Sequence, residues 1–243
     1  MLKSLTLLPV LVLASAASAQ DADWTYRATL YGWVPAMSTS VDTRFGPIEG
    51  GVSSSDALSA LDMAFMGSFS AQNGPLSFAA DLLFTDLSNS QETPFPLYGD
   101  ATVGVTLKAL SGYALVRVSQ ASPAQIDLGA GFRTFDVNLT ADLSAGLLPA
   151  DSQSVGDTWT DPVLAARVTV PLNDKWFLSG FADFGGTSSS DQTYQVYGGV
   201  GYTFNNAWST QVGYRYMSLS HPVENGDLTI GLSGVLAAVS FNF

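Results

Sequence analysis

His221 is the only histidine in the chain, and residues around it are of the kinds that hydrolytic chemistry uses. Ser218 and Ser220 precede it; Glu224 and Asp227 follow. A hydroxyl, an imidazole and a carboxylate are the parts of a nucleophile, a general base and an orienting group. The local order Ser-Leu-Ser-His-Pro supplies neither an Asp-x-His nor a His-x-Ser spacing. The expectation is therefore a loop-flanking histidine, and not an enzyme.

A second constellation is a set of paired charges on polar faces of otherwise apolar segments. Arg27, Lys108, Arg133, Arg167 and Arg215 stand against Asp62, Asp81, Asp127, Asp161 and Asp183. Such a set either lines a polar pore or fills a narrow interior with ion pairs. The near equality of signs favours the filled interior, because a pore tuned for one ion type carries an excess. Arg117 and Asp136 would join the set if bulges shift the phase of their segments. Carboxylates from Asp42 through Asp227 dominate the polar connections, with Arg44 as their only base. None has calcium-loop spacing, so no metal and no cofactor are expected. Gly129-Ala130-Gly131 and Gly198-Gly199-Val200-Gly201 resemble phosphate cradles only superficially. No helix follows either run, and glycine there relieves crowding in a curved wall.

The elements that must position these charges are strands. Apolar residues recur with period two over long segments, and no helical periodicity is sustained. Leu61, Met63, Phe65, Gly67, Phe69 and Ala71 alternate with Asp62, Ala64, Met66, Ser68, Ser70 and Gln72. After Asn73-Gly74-Pro75 the alternation resumes with Leu76, Phe78, Ala80, Leu82 and Phe84. Similar segments cover 24–36, 101–119, 124–139, 161–170, 176–184, 194–204, 208–216 and 228–243. Short turns near 73–75, 120–123, 172–174 and 205–206 alternate with longer polar connections near 37–60, 88–100, 140–157, 186–192 and 220–227. Segments of this length suit strands tilted across a bilayer, and short turns on one rim with long loops on the other suit a closed barrel. About ten strands are expected, or eight if the least regular segments pair differently.

Composition points the same way. Hydrophobic residues make up 47% of the chain and charged residues 12%, about half the usual charged share. With no cysteine to staple an exported domain, that apolar surface needs either a large core or lipid. Aromatics gather near the short turns (Trp24, Tyr26, Trp176, Phe204, Trp208, Phe243) and near the long loops (Trp33, Phe84, Trp159, Tyr194, Tyr216), as interfacial belts do. The formal net charge of -12 argues against nucleic acid and a polybasic membrane-surface mode. Lys3, the apolar stretch from Leu5 to Leu13 and Ala17-Ser18-Ala19 read as a signal peptide over 1–19, cleaved to leave a barrel over 20–243.

The last strand, Val235, Ala237, Val239, Phe241, Phe243, resembles the terminal signature that the barrel-assembly machinery of the outer membrane recognises. With Tyr31-Gly32-Trp33, GGVGYTF at 198–204, Gly213-Tyr214-Arg215-Tyr216 and Phe241-Asn242-Phe243, the chain resembles the small outer-membrane barrel superfamily that includes OmpA-like and OmpW-like proteins, without a C-terminal peptidoglycan-binding domain. The resemblance implies an all-β, antiparallel, up-and-down transmembrane barrel in a bacterial outer membrane, with lipid and lipopolysaccharide around it. It names no substrate. The expected role is structural, surface-interacting or limited solute passage. The alternatives are a narrow channel for small or apolar solutes and, third, a rim enzyme acting on lipid A or peptides. Oligomeric state is not legible.

Overall fold

The computed structural model describes residues 24–43, 46–93, 97–119, 124–188, 190–223 and 226–243. The expected signal peptide and the turn near 120–123 lie outside them. The elements are β1 (Thr25–Thr43), β2 (Gly46–Val52), α1 (Ser54–Ser59), β3 (Leu61–Asn73), β4 (Leu76–Glu92), β5 (Tyr98–Ser119), β6 (Gln125–Ala145), β7 (Asp151–Pro171), β8 (Trp176–Gly186), β9 (Gln192–Thr203), β10 (Trp208–Val223) and β11 (Gly226–Asn242). Neighbouring strands pair antiparallel, and β11 returns to pair with β1. Ten strands therefore close a barrel, while β2 adds an outer ribbon to the end of β1. Closure removes the free edges that hydrocarbon would otherwise strip of hydrogen-bond partners.

Among the described residues, each short turn follows from its sequence. Gly74 takes a left-handed φ of 54°, which a side chain would resist, between β3 and β4. The Asn173 side-chain carbonyl accepts from the Lys175 and Trp176 amides, and Asn205 does the same for Ala207 and Trp208. These Asx turns reverse the chain and set a tryptophan on the rim. Trp24, Tyr26, Trp176, Phe204, Trp208 and Phe243 are all exposed there. Above them the outer wall carries Leu30, Phe69, Leu82, Leu128, Val200, Val235 and Val239, all exposed and apolar.

The polar ends of the strands run further than the alternation indicates. Segments expected as loops at 37–43, 88–92, 140–145, 151–157 and 220–223 are strand. Both faces of these ends are largely polar or exposed, so no apolar period reports the ladder. Hydroxyl and amide pairs hold it instead: Thr102 to Ser90, Ser154 to Asn138 and Ser220 with Thr229.

The expected bulges near Ser111-Gly112 and Phe135 are absent; in β5 and β6 the ladder is continuous through both. Odd positions from Leu107 to Arg117 and from Asp127 to Val137 face inward without a break. Lys108 and Asp136 therefore point outward, where they form an exposed ion pair at 3.3 Å. With Asp86, which accepts from Thr106, they mark the upper limit of the apolar wall. Trp33 and Trp159 also face inward, so the outer aromatic belt keeps Phe84, opposite the outward Lys108, with Tyr194 and Tyr216, whose rings lie 5.6 Å apart.

Candidate functional site

The lumen is filled in layers, because inward residues change character along every strand. The upper layer is apolar: Trp33, Met66, Leu83, Leu107, Phe135, Val137, Met217, Leu219, Ile230 and Leu232 form one buried cluster. Beneath it lies a septum of buried polar clusters. Arg133 and Asp183, whose side chains are both 0% exposed, form a two-pronged pair, Nη1 to Oδ1 at 3.0 Å and Nη2 to Oδ2 at 2.5 Å. The remaining guanidinium donors reach Ser111, Thr193 and Tyr113. Tyr113 and Gln195 both donate to Asp183. Beside this knot, the Tyr31 hydroxyl donates to Asp81 and accepts from Arg215. The Arg215 guanidinium lies 4.8 Å from the Trp33 ring centroid, which joins septum to apolar layer.

Below the septum is a cavity of about 480 Å³ reaching the short-turn rim. Near it Asp127 sits between Arg117 at 2.9 Å and Arg167 at 2.8 Å. Among the described residues, Arg27 bonds only the Asn242 side-chain carbonyl, at 2.7 Å.

The structure thus brings Arg27, Asp81, Asp127, Arg133, Arg167, Asp183 and Arg215 into the lumen, and adds Arg117 without a bulge. Lys108 faces outward, contrary to expectation, because the odd positions of β5 hold the inward phase from Leu107 to Arg117 and leave Lys108 on the other face. Asp62 stands exposed at a register shift between Leu61 and Met63, and no described residue pairs with it. Asp161 faces inward and is 0% exposed, yet neither carboxylate oxygen finds a hydrogen bond among the described residues. Tyr31, Tyr113, Gln195 and Asn242 escaped sequence reasoning. Their inward phase on apolar-alternating strands is the signal that could have found them.

His221 does not meet Ser218 or Ser220. Its Nδ1 lies 3.0 Å from Asp191 and its Nε2 3.1 Å from Asp157, while its ring stacks on Trp159 at 4.0 Å. Both ring nitrogens thus face carboxylates, and neither meets a hydroxyl among the described residues. The group ties β7, β9's approach and β10 together at the rim.

The wall itself has one discontinuity. The β1–β3 ladder runs from Thr25↔Gln72 to Leu30↔Gly67 and stops. Continuing that register would set residues 31–36 of β1 opposite residues 61–66 of β3, but no ladder pair forms there, and on this edge β1 next pairs at Met37, with β2. Pro35 lies in this stretch and has no amide to donate. An apolar cavity of about 70 Å³ lies at the gap, lined by Trp33, Met37, Ala64, Met66, Leu83 and, from α1, Ala57 and Leu58. Ser53 caps α1 by accepting from the Asp56 amide at 3.2 Å. Met63 pairs with Asp86, at the level where the outer wall turns polar. The gap thus occupies the upper part of the apolar wall.

No protein-family model matches the sequence, and no curated protein matches it. Among solved structures, it is similar to the outer-membrane protease OmpT of Escherichia coli, at 9% identity over 91% of this chain and 97% of that one, with a TM-score of 0.60. A FadL homologue of Pseudomonas aeruginosa (8% identity, 92% and 90% covered, TM-score 0.38) and Neisserial surface protein A (16%, 90% and 97%, TM-score 0.31) superpose too loosely to bear on architecture. At such identities a likeness speaks for fold alone. Closure, strand count and this likeness together give one conclusion: the chain has the fold of an outer-membrane β-barrel.

Proposed function

We propose that this chain is an integral outer-membrane barrel that accepts small apolar molecules sideways from the outer leaflet and does not conduct water or ions along its axis. The observation that carries the reading is the interrupted β1–β3 ladder, which borders an apolar cavity lined in part by Ala57 and Leu58 of α1; the reading sets it at the depth of outer-leaflet hydrocarbon. An unpaired backbone edge against lipid is costly, and barrels keep one only where it lines a cavity or protein. Met37 and Met66 beside the gap are the adaptable side chains that let so small a space widen around a guest. The route continues downward only if the Tyr31–Asp81–Arg215 part of the septum opens into the lower cavity. Along the axis, the apolar layer and the Arg133–Asp183 knot block hydrated solutes. Val235, Ala237, Val239 and Phe241 face outward on β11 and Phe243, just past its end, is exposed, which suits a last strand read by assembly machinery and then immersed in lipid and lipopolysaccharide.

The test uses whole cells, where lipopolysaccharide limits apolar permeation. Uptake of N-phenyl-1-naphthylamine is followed by its fluorescence with the wild type, with Val34→Cys/Met63→Cys bridged by a bismaleimide, and with each single variant treated alike. The chain has no native cysteine to interfere. Wild type and single variants accelerate uptake severalfold over empty cells, and bridging removes the gain. No acceleration by the wild type, or no effect of bridging, refutes the reading.

A further inference from the structure

We infer that the lower cavity is a binding site for a small organic carboxylate with an apolar body, approached from the short-turn side. The argument does not depend on the lateral seam. It begins with a local charge balance opposite to that of the whole protein. Formal net charge over the chain is -12. Below the apolar layer, however, the inward charged groups pair unevenly. Arg133 has Asp183 and Arg215 has Asp81, but Arg117 and Arg167 share the single carboxylate of Asp127. Arg27 has no carboxylate among the described residues and spends one donor on Asn242. Among the described residues, the lower end of the lumen therefore holds two more positive than negative charges; the inward Asp161, register partner of Arg133, lies higher, at the septum.

Arg27 and Arg167 both line the 480 Å³ cavity, as do the rings of Phe177 and Phe181 and the amide of Gln211. That volume lies in the range of small-molecule sites, which combine apolar walls with a few polar groups that fix orientation. A guanidinium is planar and matches a carboxylate through two parallel donors, and it gains strength where walls exclude water. The rings of Phe177 and Phe181, on the strand next to Arg167, cover an apolar body, which a bare inorganic anion lacks. The septum closes the top, so such a ligand arrives and leaves through the short-turn mouth.

The probe is 4-fluorobenzoate, followed by fluorine NMR on the folded full-length barrel in detergent, with fluorobenzene and acetate as partial ligands. The site predicts saturable binding of 4-fluorobenzoate that weakens as salt is raised. Acetate and fluorobenzene bind at least about tenfold more weakly, as expected when either the charged contact or the apolar contact is missing. Arg27→Ala weakens 4-fluorobenzoate by about tenfold, Arg27→Lys by less, and the outward Lys108→Ala leaves it unchanged. Arg27 lies at the open mouth, so its variants retain the folded-barrel gel shift. Fluorobenzene binding as tightly as 4-fluorobenzoate, acetate matching it, or Arg27→Ala without effect would each overturn the assignment.

Discussion

Asp183→Ala removes the acidic half of the septum while leaving its cation in place. Arg133 then keeps Ser111, Thr193 and Tyr113 but loses two charge-assisted bonds, of 3.0 and 2.5 Å, in surroundings where its side chain is 0% exposed. Tyr113 and Gln195 lose an acceptor as well, at 2.8 and 2.6 Å. Removing one partner of a buried pair costs about 3–5 kcal/mol, because the survivor is an uncompensated charge. At about 1.4 kcal/mol per decade this lowers the folding constant by two to nearly four orders of magnitude. Equilibrium urea unfolding in phospholipid vesicles, read by tryptophan fluorescence and by the mobility of unboiled protein on gels, measures it. The double variant Arg133→Met/Asp183→Leu restores most of the loss, since an apolar pair of similar volume needs no counter-charge. A single variant costing less than about 1 kcal/mol, the size of an exposed pair, would refute the claim that this charge is buried. A double variant as unstable as the single would refute the claim that the pair acts as a unit.

Leu30→Arg, on the lipid-facing wall about midway up, destabilises by about 2–4 kcal/mol, whereas Met63→Arg at the upper limit costs about 0–1, both read in the same unfolding assay. Asp161→Leu stabilises by about 1–3 kcal/mol, because it removes a buried carboxylate with unsatisfied oxygens; a loss of stability would show that Asp161 has a partner. Planar bilayers with wild-type protein show no reproducible conductance steps, and regular openings would contradict the filled lumen. His221→Ala and wild type are equally inactive on lipid A and peptides, and activity lost on substitution would reverse the reading of the rim.

How much could be read from the chain varies with what each feature depends on. The outward run Val235 to Phe243 and the Asn173 and Asn205 turns are local, so alternation and Asx chemistry reveal them directly. The inward arginines and aspartates follow from phase, and the errors follow from phase too. Alternation alone sets Lys108 inside because small residues at Ser111-Gly112 blur the apolar face, where the ladder in fact runs straight. His221 was judged against neighbours in sequence, but its partners Asp157 and Asp191 are 64 and 30 residues away, brought in by the curvature of the barrel. The seam is least legible of all. It is the absence of pairing between 31–36 and 61–66, and only Pro35 within a strand pattern hints at it.

Oxidative cross-linking across the β1–β3 boundary tests the seam most directly. Ala28 and Phe69 are register partners below the gap, while an unbroken ladder would place Val34 opposite Met63. Paired residues on adjacent strands fall within disulfide reach, and residues across a parted edge do not. Ala28→Cys/Phe69→Cys should oxidise readily in folded barrels, and Val34→Cys/Met63→Cys should stay reduced under the same conditions. Equal disulfide formation in both would mean the wall is continuous and the lateral route does not exist.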